Sequence, residues 1–232
     1  MFISFEGVDG CGKTTQVKML EQSLKSLGFN TLCLREPGGT PISEEIRQLL
    51  LTGNHSVNIA TELLLFEAAR SELVHKVIKP ALEQNIFVLC DRFSDSTLAY
   101  QGWGRGLSFE LISSLNLFAC GDVHADMTFF LDAPLEVCFS RIDKKNKDRI
   151  ENSDFNFYSR VVDGFRKLTE LFPEMVELVT EHAPNEVTIP PPTPFPDVLL
   201  EMVELVTVKL PILSIPPPPP RPALFEMIEL TT

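Results

Sequence analysis

The 232-residue chain holds no apolar run of about 18 residues, the length a helix needs to cross a bilayer, so no membrane partner is expected. It also lacks any C-x-x-C pair among Cys11, Cys33, Cys90, Cys120 and Cys138, and that odd set argues against a disulfide scaffold or a zinc site. A reducing, cytoplasmic setting is the expectation. Basic residues are scarce, 20 Lys and Arg against 32 Asp and Glu, for a net charge of -12. Such a surface repels a polyanion, so nucleic acid is not an expected partner, and an anionic ligand must meet a local cluster of cations. The opening Met-Phe-Ile-Ser-Phe-Glu has no basic stretch, and glycines interrupt it before an apolar core reaches leader length, so no secretory leader is expected.

What the chain does have is an ordinary globular composition, 44% hydrophobic and 22% charged, with a break near Pro173. Beyond that point lie 13 of the 18 prolines, and nine acidic residues face only Lys209 and Arg221. The heptapeptide EMVELVT at 174–180 recurs at 201–207, and EMIELTT follows at 226–232. Residues 1–180 are therefore expected to form one domain and 181–232 a low-complexity, proline-rich repeat tail, its clusters at 190–196 and 216–222 suited to polyproline II.

Within the first 180 residues, short apolar runs alternate with helix-length stretches, the pattern of a parallel sheet covered by helices on both faces. The predicted strands are 2–6, 30–35, 86–90 and 127–132, with 175–179 as a fifth. Val17, Leu20, Leu24 and Leu27 recur at helical spacing over 14–27 and stop at Gly28, and 62–83 offers a similar pattern.

Gly7-Val8-Asp9-Gly10-Cys11-Gly12-Lys13-Thr14 matches G-x-x-x-x-G-K-[ST] at each fixed position, directly after a predicted strand and opening a predicted helix. A loop of this kind turns backbone N–H groups toward phosphates, and the helix N-terminus adds positive potential. An ATP site is predicted over residues 7–15, Thr15 included, with Lys13 on the β and γ phosphates and Thr14 on Mg²⁺. Asp91, at a strand end, is a second candidate metal ligand, a salt-bridged aspartate being the alternative. Arg92 beside it stands at the carboxyl end of the sheet, where open α/β folds bind ligands and a guanidinium can grip phosphate. Phe66 and Arg70 lie four apart on one helical face, so ring and guanidinium can meet one ligand together; an ordinary core aromatic is the alternative for Phe66.

Other segments share this order: Arg35-Glu36-Pro37-Gly38-Gly39-Thr40, Leu65-Phe66-Glu67-Ala68-Ala69-Arg70, Asp91-Arg92-Phe93, Ser96-Thr97-Leu98-Ala99-Tyr100-Gln101-Gly102 and Asp148-Arg149-Ile150-Glu151. Together they resemble bacterial thymidylate kinases over about residues 1–180. The resemblance implies a P-loop NTPase fold with a five-stranded parallel sheet, transfer of the γ-phosphoryl of ATP to dTMP with Mg²⁺, and a homodimer. It implies further that Phe66 stacks on thymine and Arg70 contacts the base. Thr97 and Gln101 would meet the pyrimidine edge, Asp9 would receive the 3′-hydroxyl, and Tyr100 would crowd the place of a 2′-hydroxyl. Arg35, Glu36, Pro37 and Ser96 fall in the same acceptor site.

Because the acceptor is already an oxyanion, no general base is needed; the task is to align two polyanions and neutralise the transferring group. The phosphate loop lacks the arginine that some thymidylate kinases carry there, so a cation is expected from the lid, as Lys144 or Arg149. Lys144 stands where the family's lid has arginine, and a lysine lacks the bidentate fork. A P-loop nucleotide-binding scaffold with impaired turnover and a partner-docking tail is the alternative reading.

Overall fold

The computed structural model describes residues 1–52, 56–142 and 148–179. Lys144 and the expected tail lie outside the described residues. Strands β1 (Phe2–Glu6), β2 (Thr31–Arg35), β3 (Phe87–Asp91), β4 (Met127–Asp132) and β5 (Met175–Val179) form one parallel sheet of five in the order β2-β3-β1-β4-β5. The two near-central strands β1 and β4 are buried along their whole length, which is why their sequences read as continuous rather than alternating apolar runs. Ile3 and Phe5 pack with Phe129 on one side of the sheet, while Phe2, Val88 and Cys90 pack with Leu73, Val74 and Ile78 on the other. The hydroxyls of Ser4 and Thr128, 2.8 Å apart in this dry interior, satisfy each other.

Helix α1 (Lys13–Ser26) buries Val17, Leu20 and Leu24 against the sheet. It ends where Gly28 turns left-handed at φ 87° and the Phe29 amide donates back to the Leu24 carbonyl, a glycine-dependent stop. Then follow α2 (Pro41–Leu51), whose Thr40 side chain caps the Ser43 amide, and α3 (Ile59–Leu73), capped by Asn58. The expected helix over 62–83 is present as α3, a π-helical turn at Val74–Ile78 and α4 (Lys79–Glu83).

After β3 comes the short α5 (Ser94–Thr97), which runs into a second π-helical stretch, Leu98–Gly104. Then come α6 (Phe109–Cys120), α7 (Leu135–Arg141) and α8 (Phe155–Leu171). Helix α8 seats against the π stretch through two glycines: a Cβ on Gly104 would lie 2.7 Å from Phe157, and one on Gly164 would lie 2.9 Å from Trp103. The carboxyl ends of the strands thus present Glu6, Arg35, Asp91 and Asp132 along one edge, with the glycine-rich loop at its middle.

Candidate active site

Gly7, Gly10 and Gly12 hold positive φ angles of 132°, 83° and 106°, a run of turns that lets the loop after β1 fold around an open space. Packing adds a second demand at Gly10, because a Cβ there would collide with the Cys138 carbonyl oxygen of α7. Lys13 opens α1 and is buried, its ammonium donating to the carbonyls of Gly7 (3.0 Å) and Val8 (2.9 Å). The Thr14 hydroxyl donates to Asp91 Oδ2 at 2.6 Å, so the two expected metal ligands are side by side. A hydroxyl and one carboxylate beside a phosphate cavity are a donor set that Mg²⁺ accepts, since this ion keeps several waters and shares its remaining sites with phosphate.

Arg92 follows β3 in a left-handed conformation, φ 73°, and so turns its guanidinium across the loop. It donates to the Gly7 carbonyl (2.8 Å), Ser96 Oγ (3.1 Å), Asp9 Oδ1 (2.7 Å) and Tyr100 Oη (3.2 Å), and the guanidinium lies 5.0 Å from the Tyr100 ring centroid. Burial pulls the Asp9 carboxyl upward, but the cations Arg92 and Lys13 outweigh it and hold Asp9 below the usual range. Beneath the turn, Glu6 accepts from the Phe93 amide (2.7 Å) and from Ser96 Oγ (2.5 Å). Burial, reinforced by the nearby Asp95, pushes Glu6 up to about 8.

Two cavities adjoin at this edge. The larger, about 570 Å³, is lined by Asp9, Gly10, Gly12, Lys13, Thr14 and Thr15 together with Asp91 and the arginines Arg35 and Arg141. The smaller, about 90 Å³, is lined by Pro37, Phe66 and Arg70 on one side and Ser96, Thr97, Tyr100 and Gln101 on the other. Asp9, Glu36, Arg47 and Arg92 line both and form their common wall.

The structure therefore brings together the loop, the segment after β2, α3 and the π stretch, as the sequence led one to expect, but it assigns some side chains differently. Each nitrogen of the buried Arg70 is engaged: Nε and Nη2 with Glu36, Nη1 with Glu67 and Asn116, Nη2 also with the Phe93 carbonyl. Burial pushes Glu36 up to about 7 against the pull of Arg70, and its Oε1 is buried without a hydrogen-bond partner. Arg35 forks onto Glu44 at 3.0 and 3.1 Å. Arg149 lines neither cavity; Nε donates to the Leu50 carbonyl (2.9 Å) and Nη2 meets Glu62 (2.7 Å).

Two arginines had escaped sequence reasoning. Arg47 on α2 lines both cavities and donates to the Pro37 carbonyl at 2.9 Å, and Arg141, in the last turn of α7, donates to the Gly10 carbonyl at 3.1 Å. Their one signal is place in the chain, since each lies on the first helix after the carboxyl end of a strand, Arg47 midway along α2 and Arg141 at the end of α7.

A parallel five-stranded sheet with a G-x-x-x-x-G-K-T loop between its middle strand and the next helix defines a P-loop NTPase fold. The family model described as thymidylate kinase matches residues 5–188. A thymidylate kinase of Thermosipho africanus is 47% identical over 171 residues, covering 74% of this chain and 85% of the relative. One from Geobacter sulfurreducens is 43% identical over 210 residues, covering 87% and 97%. The crystal structure of thymidylate kinase from Ehrlichia chaffeensis superimposes with a TM-score of 0.72 at 36% identity, over 89% of this chain and 98% of that one. The chain belongs to the thymidylate kinase family.

Proposed function

We propose that this chain transfers the γ-phosphoryl group of ATP to dTMP, giving dTDP and ADP. The observation that carries the reading is the wall common to the two cavities: a phosphate-loop cavity and an aromatic-lined one meet at Arg47 and Arg92, so two anionic ligands entering from opposite sides would turn their phosphates toward the same cations. ATP would lie in the larger cavity, where Lys13 exchanges the Gly7 and Val8 carbonyls for phosphate oxygens. Thr14 and Asp91 would hold Mg²⁺, which neutralises charge on the phosphates when bound. The acceptor nucleotide would lie in the smaller cavity, its base against Phe66 and its edge toward Thr97 and Gln101.

Its phosphate would meet Arg92 and Arg47, with Arg35, Glu36, Pro37 and Ser96 around it. The sugar would face Asp9 and Tyr100, whose side chains lie 3.5 Å apart. Tyr100, buried and ringed by Phe157, Tyr158 and Phe165, has no room to retreat from a 2′-hydroxyl. No residue has to take a proton; rate comes from holding the two phosphates in line and balancing charge. Arg141, already at Gly10, adds the guanidinium that the phosphate loop itself lacks. Arg149 stands clear of both cavities, and Lys144 lies outside the described residues.

A homodimer and a cytoplasmic setting belong to the same reading. Leu64, Leu111, Leu117 and Phe118 stand 57%, 49%, 60% and 84% exposed on α3 and α6, an apolar surface that a second copy would cover. Residues 1–180 would be the kinase domain and 181–232 an appendage. The assignment of the phosphate loop is tested by Lys13→Ala. Since the Lys13 ammonium serves to stabilise charge on the phosphates, kcat should fall by about 100-fold or more while the chain stays folded. A folded variant that keeps more than about a tenth of wild-type kcat contradicts the assignment.

A further inference from the structure

We infer that Glu62 is a positioning residue that fixes which end of the Gln101 amide faces the smaller cavity, and thereby makes that cavity select bases that present an N–H over bases that present a bare ring nitrogen. The inference deepens the proposed function and rests on it for the placement of the base.

Glu62 is buried on α3, one turn before Phe66, and makes no direct contribution to the cavity wall. Its carboxylate gathers three side chains from two other segments. Oε1 accepts from Gln101 Nε2 (2.9 Å) and from Arg105 Nε (3.2 Å), while Oε2 faces Arg149 Nη2 (2.7 Å) and Arg105 Nη2 (3.5 Å). Burial pulls Glu62 upward, but the Gln101 hydrogen bond and the two guanidiniums overcome it and hold it below the usual carboxylate range. An ionised carboxylate only accepts. The amide atom 2.9 Å from Oε1 must therefore be the NH₂ nitrogen, and the Gln101 carbonyl oxygen is left pointing elsewhere, with no hydrogen bond to it among the described residues. Gln101 lines the smaller cavity, so the group it offers there is an acceptor.

Of the other polar groups here, Glu36 keeps an unpartnered Oε1, but it stands in the wall shared with the phosphate-loop cavity and not beside Gln101 on the π stretch. Every nitrogen of Arg70 is engaged by protein atoms. A threonine hydroxyl such as Thr97 rotates to donate or accept and so reads neither polarity. Asp9 is tied to Arg92 and Tyr100, and Asp148 Oδ1 to the amides of Ile150 and Glu151. Thymine and uracil carry N–H at N3, which the Gln101 carbonyl accepts, whereas cytosine carries a lone pair there, which the same carbonyl repels. A polar group fixed in this way rejects the mismatched partner far more strongly than an apolar wall does.

The test is a double-mutant cycle read by calorimetric dissociation constants for dTMP and dCMP on the full chain. In Glu62→Gln, residue 62 keeps its shape but can donate, so the Gln101 amide is free to turn over. The preference for dTMP over dCMP should fall about tenfold, and part of that fall should come from tighter dCMP binding. In a Gln101→Met background the same substitution at Glu62 should change the preference by less than about twofold. A purely structural role would weaken both ligands alike and act equally in both backgrounds.

An unchanged preference in folded Glu62→Gln, or an effect that persists in Gln101→Met, overturns the inference. Should Glu62→Gln not fold, Gln101→Met alone must lower the preference about tenfold, and an unaltered preference there overturns it as well. Binding without turnover would leave this selection intact while contradicting the proposed phosphoryl transfer, so the two can fail separately.

Discussion

Arg92 is one of two described non-glycine residues at positive φ, the other being Asn85. The conformation costs about 1–2 kcal/mol for a residue with a Cβ, and it persists because the surrounding hydrogen bonds overdetermine it. Glu6 supplies much of that determination, since its carboxyl takes the amide of Phe93 and the hydroxyl of Ser96, the two groups that flank the turn. A carboxyl that titrates near 8 in the folded chain and near 4.5 unfolded binds an extra proton in the folded state throughout that window. Its contribution to stability is complete below the unfolded value and is lost as pH rises through the folded one. Glu6→Gln keeps the hydrogen bonds and removes the titration. Urea unfolding at several pH values should therefore show wild type gaining stability relative to Glu6→Gln as pH drops from about 8 toward 5. Parallel pH profiles for the two proteins would place the titration elsewhere.

At the level of elements, the π-helical stretch Leu98–Gly104 carries Tyr100 and Gln101 and is held from behind by α8. The extra residue in its turn, seen where the Arg105 amide donates to the Tyr100 carbonyl, aims both side chains at the cavity. Gly104 lets α8 approach, and Gly104→Ala would drive a methyl to 2.7 Å from Phe157 and 2.9 Å from Val161. Overpacking of that kind costs about 1–3 kcal/mol, so the melting temperature should drop by several degrees and the KM for dTMP should rise as Tyr100 and Gln101 shift. A variant that melts and binds as wild type would show that the contact gives way freely.

The strands were legible in the sequence to within a residue, with β2 starting at Thr31 and β3 running through Asp91; burial on both faces writes β1, β3 and β4 as apolar runs, and the half-buried β2 still reads as a short apolar run between polar ends. The π turns were not, since an i→i+5 bond leaves no mark in composition. The phosphate loop was readable because glycine conformation is local. The engagement of Arg70 was not, because its partners Glu36 and Asn116 lie 34 and 46 residues away.

For the molecule as a whole, a net charge of -12 is reconciled with two anionic ligands by concentrating cations where strand ends converge: Lys13, Arg35, Arg47, Arg92 and Arg141 all line the larger cavity. Local potential of this kind, not overall charge, governs whether phosphates enter. Arg47 and Arg141 were illegible as site residues because a lone arginine on a helix looks like any solvated surface charge until the fold sets it beside others. The family match reaches residue 188, so the composition break near Pro173 lies inside the matched region, while the second and third copies of the repeat lie beyond it. The central claim, that the common wall joins ATP to a thymine deoxynucleotide, is tested most directly by following ADP release from the purified chain with ATP, Mg²⁺ and each of dTMP, dUMP, AMP and UMP in turn. The account predicts dTMP-dependent release with the highest kcat/KM of the four and formation of dTDP. Release that is no greater with dTMP than without an acceptor, or that is faster with AMP or UMP, would contradict it.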